Sequence, residues 1–434
     1  MNRILLVLSA LAGPLAAQQP ARGASDSLHL GVLHQQALAN DPRLRQLELQ
    51  TAQTDLRLRN LSAERFPVLS GDVQAQYQSD VPRVPFTTPS GDPVISPPND
   101  TYDASLRVQQ RLLDPTLAPR RAVERTQLAE SQARVHTTLF ALRQEVNESF
   151  YAAALLQERA AEIAATIADL QARLREVTAR VREGTTLPGE AATIEASILE
   201  RRQDAAAIHA DRRAALAVLA RLTRTEIADS IALALPSLDA TVDSARGALA
   251  DLRARPEYRQ FAGTRERLRT QQQAAAAQHR PRLSAFARAG YGRPGLDFLS
   301  EEFDSYWLGG LRIEWTPWNW GSTRREQEAL ALQQQIVAAD EAAFTESIHR
   351  GIERDLASLD RLDTTLALDE QIIALRERIE RETRLRFDEG VVTAADYLDR
   401  RTDVLEARLA RITHRVERSR TQARLLTTLG LEVR

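Results

Sequence analysis

The chain has 434 residues, with 57 basic and 59 acidic side chains and a net charge of -2. That balance argues against nucleic acid as a partner, and the absence of Cys excludes disulfides, thiolate metal sites and lipid attachment to an N-terminal Cys. Lys is also absent, so no P-loop can be written, and the seven His form no ligand pair at helical spacing.

The chain opens with MNRILLVLSALAGPLAAQQP: one Arg, an apolar run from Ile4, then small residues to Ala17. This reads as a secretory signal peptide over residues 1–17. The rival reading, a membrane anchor, needs a longer apolar run. No later segment offers the ~20 apolar residues of a transmembrane helix. A membrane-embedded part of this chain must therefore be β-barrel.

A first helix is predicted over about 28–65. Two alternating segments follow, at about 67–79 and 101–113. In the first, Leu69, Gly71, Val73, Ala75 and Tyr77 alternate with Asp72, Gln74, Gln76 and Gln78. In the second, Tyr102, Ala104, Leu106 and Val108 alternate with Asp103, Ser105, Arg107, Gln109 and Arg111. Between them lies a Pro-rich loop from Pro82 to Asn99. A very long helix then runs from about Arg120 to Arg182. Its heptad positions are Leu128, Val135, Leu142, Ser149, Leu156, Ile163, Leu170 and Val177, with Gln132, Leu139, Val146, Ala153, Ala160, Ile167, Leu174 and Val181; only Ser149 and Gln132 are polar. That is a coiled-coil seam. The helix breaks at Gly184 and another returns.

The same order is then written again. Pro42 and Pro256 are 214 residues apart, as are Pro67 and Pro281 and as are Tyr77 and Tyr291. Gly184 and Gly390 are 206 apart, the difference falling in the Pro-rich loop. A tandem duplication places the first repeat at 18–235, with its hairpin tip near 184. The second is placed at 236–434, with a helix over about 241–279, strands at about 282–293 and 305–316, a long helix over about 322–387 and a tip near 390. Here Leu283, Ala285, Ala287 and Ala289 match the first apolar face. Trp307, Leu311, Ile313 and Trp315 continue it, with Arg312 and Glu314 opposite. All four Trp (Trp307, Trp315, Trp318, Trp320) cluster at the last strand, as aromatics do at a membrane interface.

Period-two alternation over about ten residues is the transmembrane β-barrel pattern. The alternative is a soluble two-layer sheet packed on helices, with Trp as core. Four strands cannot close a barrel, and open edges are not tolerated in lipid. Two chains would supply eight strands and three would supply twelve. An eight-stranded barrel is filled by its own side chains, so a polar inner face favours the trimer.

With these elements in view, SLHLGVLHQQALANDPRLR and DEGVVTAADYLDRRTDVLEARLA resemble the first-helix and helix-turn motifs of the TolC-like outer-membrane efflux protein family. The resemblance covers nearly all of the mature chain. It implies a mainly α fold with a small β part: helix–strand–strand–helix–helix units in tandem, a trimeric twelve-stranded barrel and a long periplasmic α-helical barrel. It implies a passive exit duct in the outer membrane, reaching into the periplasm and docked to a periplasmic adaptor and an inner-membrane transporter. Drugs, metals and secreted polypeptides are all cargo of this fold by resemblance. It also implies that Asp396 and Asp399 form carboxylate rings at the periplasmic aperture, with Glu190, six residues after Gly184, as the first-repeat acid. Phe387 and Val392 stand where a well-known member has Tyr and Arg, so that member's closing network does not transfer. The plain alternative for Asp396 and Asp399 is a solvated helix face. No cofactor, metal cluster or nucleophile–base pair is legible, so the chain is not read as an enzyme. A coiled-coil spacer or adaptor without a pore is the competing reading of the whole, and a helical-bundle enzyme lacks the inward Glu/His set.

Overall fold

The computed structural model describes residues 27–82, 84–85, 94–95, 97–247, 252–297 and 300–433. The expected signal peptide, residues 1–17, lies outside them, as does much of the Pro82–Asn99 loop. The chain starts with β1 (Leu28–His29) and α1 (Leu30–Asn40), then α2 (Leu44–Ala63), β2 (Val68–Tyr77), and two short strands, β3 (Val84–Pro85) and β4 (Val94–Ile95). β5 (Asp100–Leu113), α3 (Leu117–Arg182) and α4 (Pro188–Thr223) follow. After β6 (Leu233–Ala234) and α5 (Asp239–Gly247) come α6 (Pro256–Ala277), β7 (Arg282–Arg293), β8 (Asp304–Glu314), α7 (Ser322–Asp388) and α8 (Ala394–Thr428).

The two predicted helices at 28–65 and 241–279 are each broken, and a Pro marks a break in both, although in the second α5 has already ended at Gly247. Pro42 disfavours helical backbone at Asp41, which sits extended at φ -71°, ψ 127° and ends α1. Pro256 does the same to Arg255 (φ -63°, ψ 142°) and becomes the first residue of α6, where its missing N–H costs nothing.

α3 and α7, of 66 and 67 residues, each span about 100 Å at 1.5 Å per residue. Over the half nearer the tips they pack on their returning partners α4 and α8, and over the other half on α2 and α6. Of the predicted seam, Val135, Leu139, Leu142, Val146, Ala153, Ile163, Leu170 and Val177 are buried. Phe150, Tyr151 and Ala154, off that seam, are buried too, because mid-length α3 is flanked by α1 as well as by α4 and α8. There the main core forms from Leu33, Val146, Phe150, Leu219, Leu359 and Leu426, closed by the parallel pairing of β1 with β6. A smaller core sits at the tips.

At the opposite end of the helices lies one antiparallel sheet in the order β2-β5-β7-β8. Its register sorts side chains as the alternation predicts. Gly71, Leu106, Ala289 and Trp307 form one cross-strand row, and Leu69, Val108, Ala287 and Gly309 the next. Ser70, Arg107, Arg288 and Leu308 form a row on the other face. No described helix packs along the apolar face: Val73 is 88% exposed, Trp307 80% and Ile313 72%. The soluble two-layer alternative, with Trp as core, is therefore not what the chain builds. No described helix is long and apolar enough to cross a membrane.

Candidate functional site

Both hairpin tips are built by the same local chemistry. Gly184 and Gly390 take φ 75° and 74°, the left-handed region that a side chain resists. Each closes a helix C-terminus with paired backbone bonds. Thr185 N–H donates to Arg180 O at 3.0 Å and Gly184 N–H to Val181 O at 3.1 Å. Val391 N–H donates to Arg386 O at 2.8 Å and Gly390 N–H to Phe387 O at 3.1 Å. This is the Schellman closure that a Gly one residue past the cap permits. Space is not the constraint, since a Cβ at either Gly would touch nothing within 4 Å.

The returning helices start differently. α4 uses Pro188 at its first turn. α8 uses a capping box: Asp396 N–H donates to Thr393 Oγ1 at 3.3 Å, while Asp396 Oδ2 accepts from Thr393 N–H at 3.0 Å and from Thr393 Oγ1 at 2.6 Å. The hydroxyl bond first, then the backbone bond, holds the Asp396 carboxyl below its usual range. Asp399 stands exposed one turn further on the same face. Asp396 is thus oriented by its own helix cap, while Asp399 is a solvent-facing carboxylate.

Glu190 reaches the same helix start from the other hairpin. Its Oε2 accepts from the Ala394 N–H, so the first hairpin places a carboxylate on the N-terminus of α8, where the helix dipole favours it. Phe387 is buried and stacks on Tyr397, with centroids 5.7 Å apart and planes 8° from parallel. Val392 packs against the same small core, so apolar contact occupies these two positions.

Sequence reasoning missed the residues that tie the tips together. Arg173 of α3, 5% exposed, has its guanidinium 5.0 Å from the Phe387 ring centre and 5.6 Å from that of Tyr397. It also pairs with Glu176 at 2.6 Å and with Asp388. Arg180 adds Nη2 to Asp388 Oδ1 at 3.1 Å and Nη1 to the Asp388 carbonyl at 3.2 Å. No sequence signal marked Arg173, which flanks the seam positions Leu170 and Leu174, a place where a charged residue is ordinary. The tip is therefore a clasp within one chain, with the helix-capping carboxylate of Asp396 and the solvent-facing one of Asp399 outside it.

Residues 250–431 match the outer membrane efflux protein family. The chain is also similar to solved outer-membrane proteins. With VceC of Vibrio cholerae it shares 17% identity over 93% of this chain and 97% of that one, at TM-score 0.65. With the open state of the Neisseria gonorrhoeae MtrE channel it shares 18% identity over 93% and 89%, also at TM-score 0.65. With the Campylobacter jejuni CmeC channel the figures are 14%, 92%, 85% and 0.64. No curated protein gives a significant match. The family resemblance read from the two sequence motifs is thus borne out, and at these identities the likeness to solved structures is one of fold.

Proposed function

We propose that this chain, whose second repeat carries the outer membrane efflux protein pattern, is a passive exit duct of the outer membrane. It would serve a tripartite efflux or type I secretion assembly, taking cargo from an inner-membrane transporter and a periplasmic adaptor to the exterior. The observation that carries the reading is the open sheet. Among the described residues its apolar face is bare, and both edge strands, β2 and β8, have an unpaired side. Such edges are not tolerated in lipid, and in water they invite aggregation. Further copies of the same sheet satisfy both demands. β2 and β8 run antiparallel to each other, so β8 of one copy can meet β2 of the next without breaking the alternation. Three copies give twelve strands with room for a polar lumen.

The helices support the same assembly. Leu368, Ile372, Leu375 and Ile379 form an exposed apolar stripe on α7 at 4-3-4 spacing. A neighbouring hairpin would cover it as a coiled-coil partner. The tandem repeat at 18–235 and 236–434 would give each copy two hairpins, making twelve helices around a periplasmic tunnel. Its mouth would be lined by Asp396 and Asp399. No nucleotide motif is present, so energy would come from the transporter.

The test is membrane fractionation with an unheated gel, followed by reconstitution in planar bilayers. A duct gives an outer-membrane oligomer that dissociates on heating and opens stable pores. A periplasmic spacer gives a water-soluble chain and no conductance, and that result would refute the reading.

A further inference from the structure

The polar face of the sheet carries an arrangement that conduction alone does not need. β5 and β7 place Arg107 directly opposite Arg288. Like charges directly opposite on neighbouring strands destabilise a sheet. Arg288 is compensated: it pairs with Asp103, donates to the Ser105 hydroxyl at 3.0 Å and lies 5.5 Å from the Tyr306 ring centre. Tyr306 donates its hydroxyl proton to the same Asp103, so that carboxylate already serves two donors. Tyr306 reaches it by lying across Gly290, where a Cβ would come within 2.6 Å of the ring. The network is fitted, and it leaves Arg107 out. Arg107 is exposed and has no carboxylate partner among the described residues.

Nearer the helices, Arg312 repeats the theme. Its guanidinium lies 5.3 Å from the Phe286 ring centre, and it too is exposed without a carboxylate partner among the described residues. The other arginines of this half are matched: Arg111 pairs with Glu64 and Asp114, and Arg282 stands opposite Glu314 in register. Of the acids of the face that lack such partners, Asp304 lies at the loop end and Asp72 at mid-strand, one row loopward of Arg107. Charge is therefore segregated along the strands, acidic at the loop end and basic toward the helices.

Resting on the duct reading, we propose that the helix-proximal half of the barrel lumen is an anion-binding waist, formed by Arg107 beside Arg288 and by Arg312 on its Phe286 shelf. Three copies bring six uncompensated guanidiniums to the lumen. Rings of Arg favour anions in a pore, and the planar guanidinium fork suits carboxylate, sulfonate and phosphate groups. The waist favours cargo bearing such groups over cationic cargo.

Full-length protein in planar bilayers tests this, with tripolyphosphate as a blocking probe and reversal potentials in a KCl gradient as a second readout. Arg107→Gln with Arg312→Gln should raise the half-blocking tripolyphosphate concentration on the order of tenfold and lower the chloride-to-potassium permeability ratio. Arg107→Lys with Arg312→Lys should keep most of both. The heat-dissociable oligomer verifies assembly of each variant. A glutamine pair blocked and selective like the original chain overturns the inference, as does a lysine pair that loses as much as the glutamine pair. A chain that opens no pore overturns the duct reading along with it.

Discussion

Arg173→Met is the sharpest probe of the tip. Methionine keeps most of the apolar stem in place and removes the guanidinium. Two cation–π contacts are lost, each worth about 0.5–1 kcal/mol at a partly covered site. The hydrogen-bonded contact to Asp388 is worth about 1.5–3 kcal/mol, since one partner is buried and charged. Glu176 is half exposed and its pair contributes little. The total is on the order of 3 kcal/mol, held locally at the tips. At 1.4 kcal/mol per decade that is roughly a hundredfold in the opening equilibrium. Native-state hydrogen exchange reads it directly. The amides of Gly390, Val391 and Tyr397 should exchange roughly a hundredfold faster in the variant, while those around Val146 and Phe150 keep their rates. Arg173→Lys, which keeps charge but not the planar fork, should fall between. Unchanged tip exchange in Arg173→Met would show that Arg173 does not hold the hairpins together.

Three further outcomes are expected. Asp396→Ala with Asp399→Ala should raise single-channel conductance and weaken block by multivalent cations added on the tip side, since six carboxylates around one axis attract hard cations; wild-type conductance and block would leave the two aspartates as a solvated face. Cysteines at Val73, Tyr77, Ala287 and Ile313 should react with membrane-soluble reagents, and cysteines at Gln74, Arg107 and Arg312 with aqueous ones, as the two register-defined faces require; swapped labelling would sink the lipid and lumen assignment. His34 is buried, and burial holds its pKa below 6.5 against the opposing 2.8 Å bond to Asn147. Its unfolded form therefore takes up a proton at a higher pH than its folded form. The stability that neutral His34 contributes is complete above the unfolded value and drains away as pH falls from there toward the folded value. A melting temperature that drops on acidification in the wild type, and drops less in His34→Gln, is the expected result; parallel curves would exclude His34 as the source.

The sequence made the backbone of this protein legible wherever a short-range rule dominates. Alternation over ten residues located β2, β5, β7 and β8, because a strand with one apolar face has a single acceptable register. Two glycines located the tips, because a helix that must reverse needs a left-handed residue. Duplication was read from matching prolines, yet the same prolines were not read as helix breaks at Asp41 and Arg255. Long-range pairing was not legible. Arg173 meets Asp388 across 215 positions, and no local pattern reports that. Glu190 was read as the first-repeat acid by its spacing from Gly184, but its bond to the Ala394 N–H at the start of α8 was not legible. The Tyr306–Gly290 fit was likewise hidden, since a strand glycine says only that something comes close.

The clasp also bears on what can move. From α3, the positive Arg173 and Arg180 address the C-terminal end of α7, including the Asp388 carbonyl; from α4, the negative Glu190 addresses the N-terminal end of α8. Each charge thus meets the helix end of opposite dipole sign. These contacts fix the two hairpins of one chain in axial register, for a slide of one helical turn, about 5.4 Å, would break all of them together. The phenyl ring of Phe387 and the ring of Tyr397 fill the space between them, so rotation costs packing as well as charge. Asp396 and Asp399, by contrast, take part in none of these contacts between the hairpins. In the proposed trimer, a change in the width of the mouth would then have two routes. It can shift whole chains against each other, leaving the clasp closed, or it can open the clasp, losing the share of Arg173, on the order of 3 kcal/mol, together with the other contacts. Arg173→Met separates the routes: if its pores conduct like those of the original chain despite loosened tips, the mouth is set between chains.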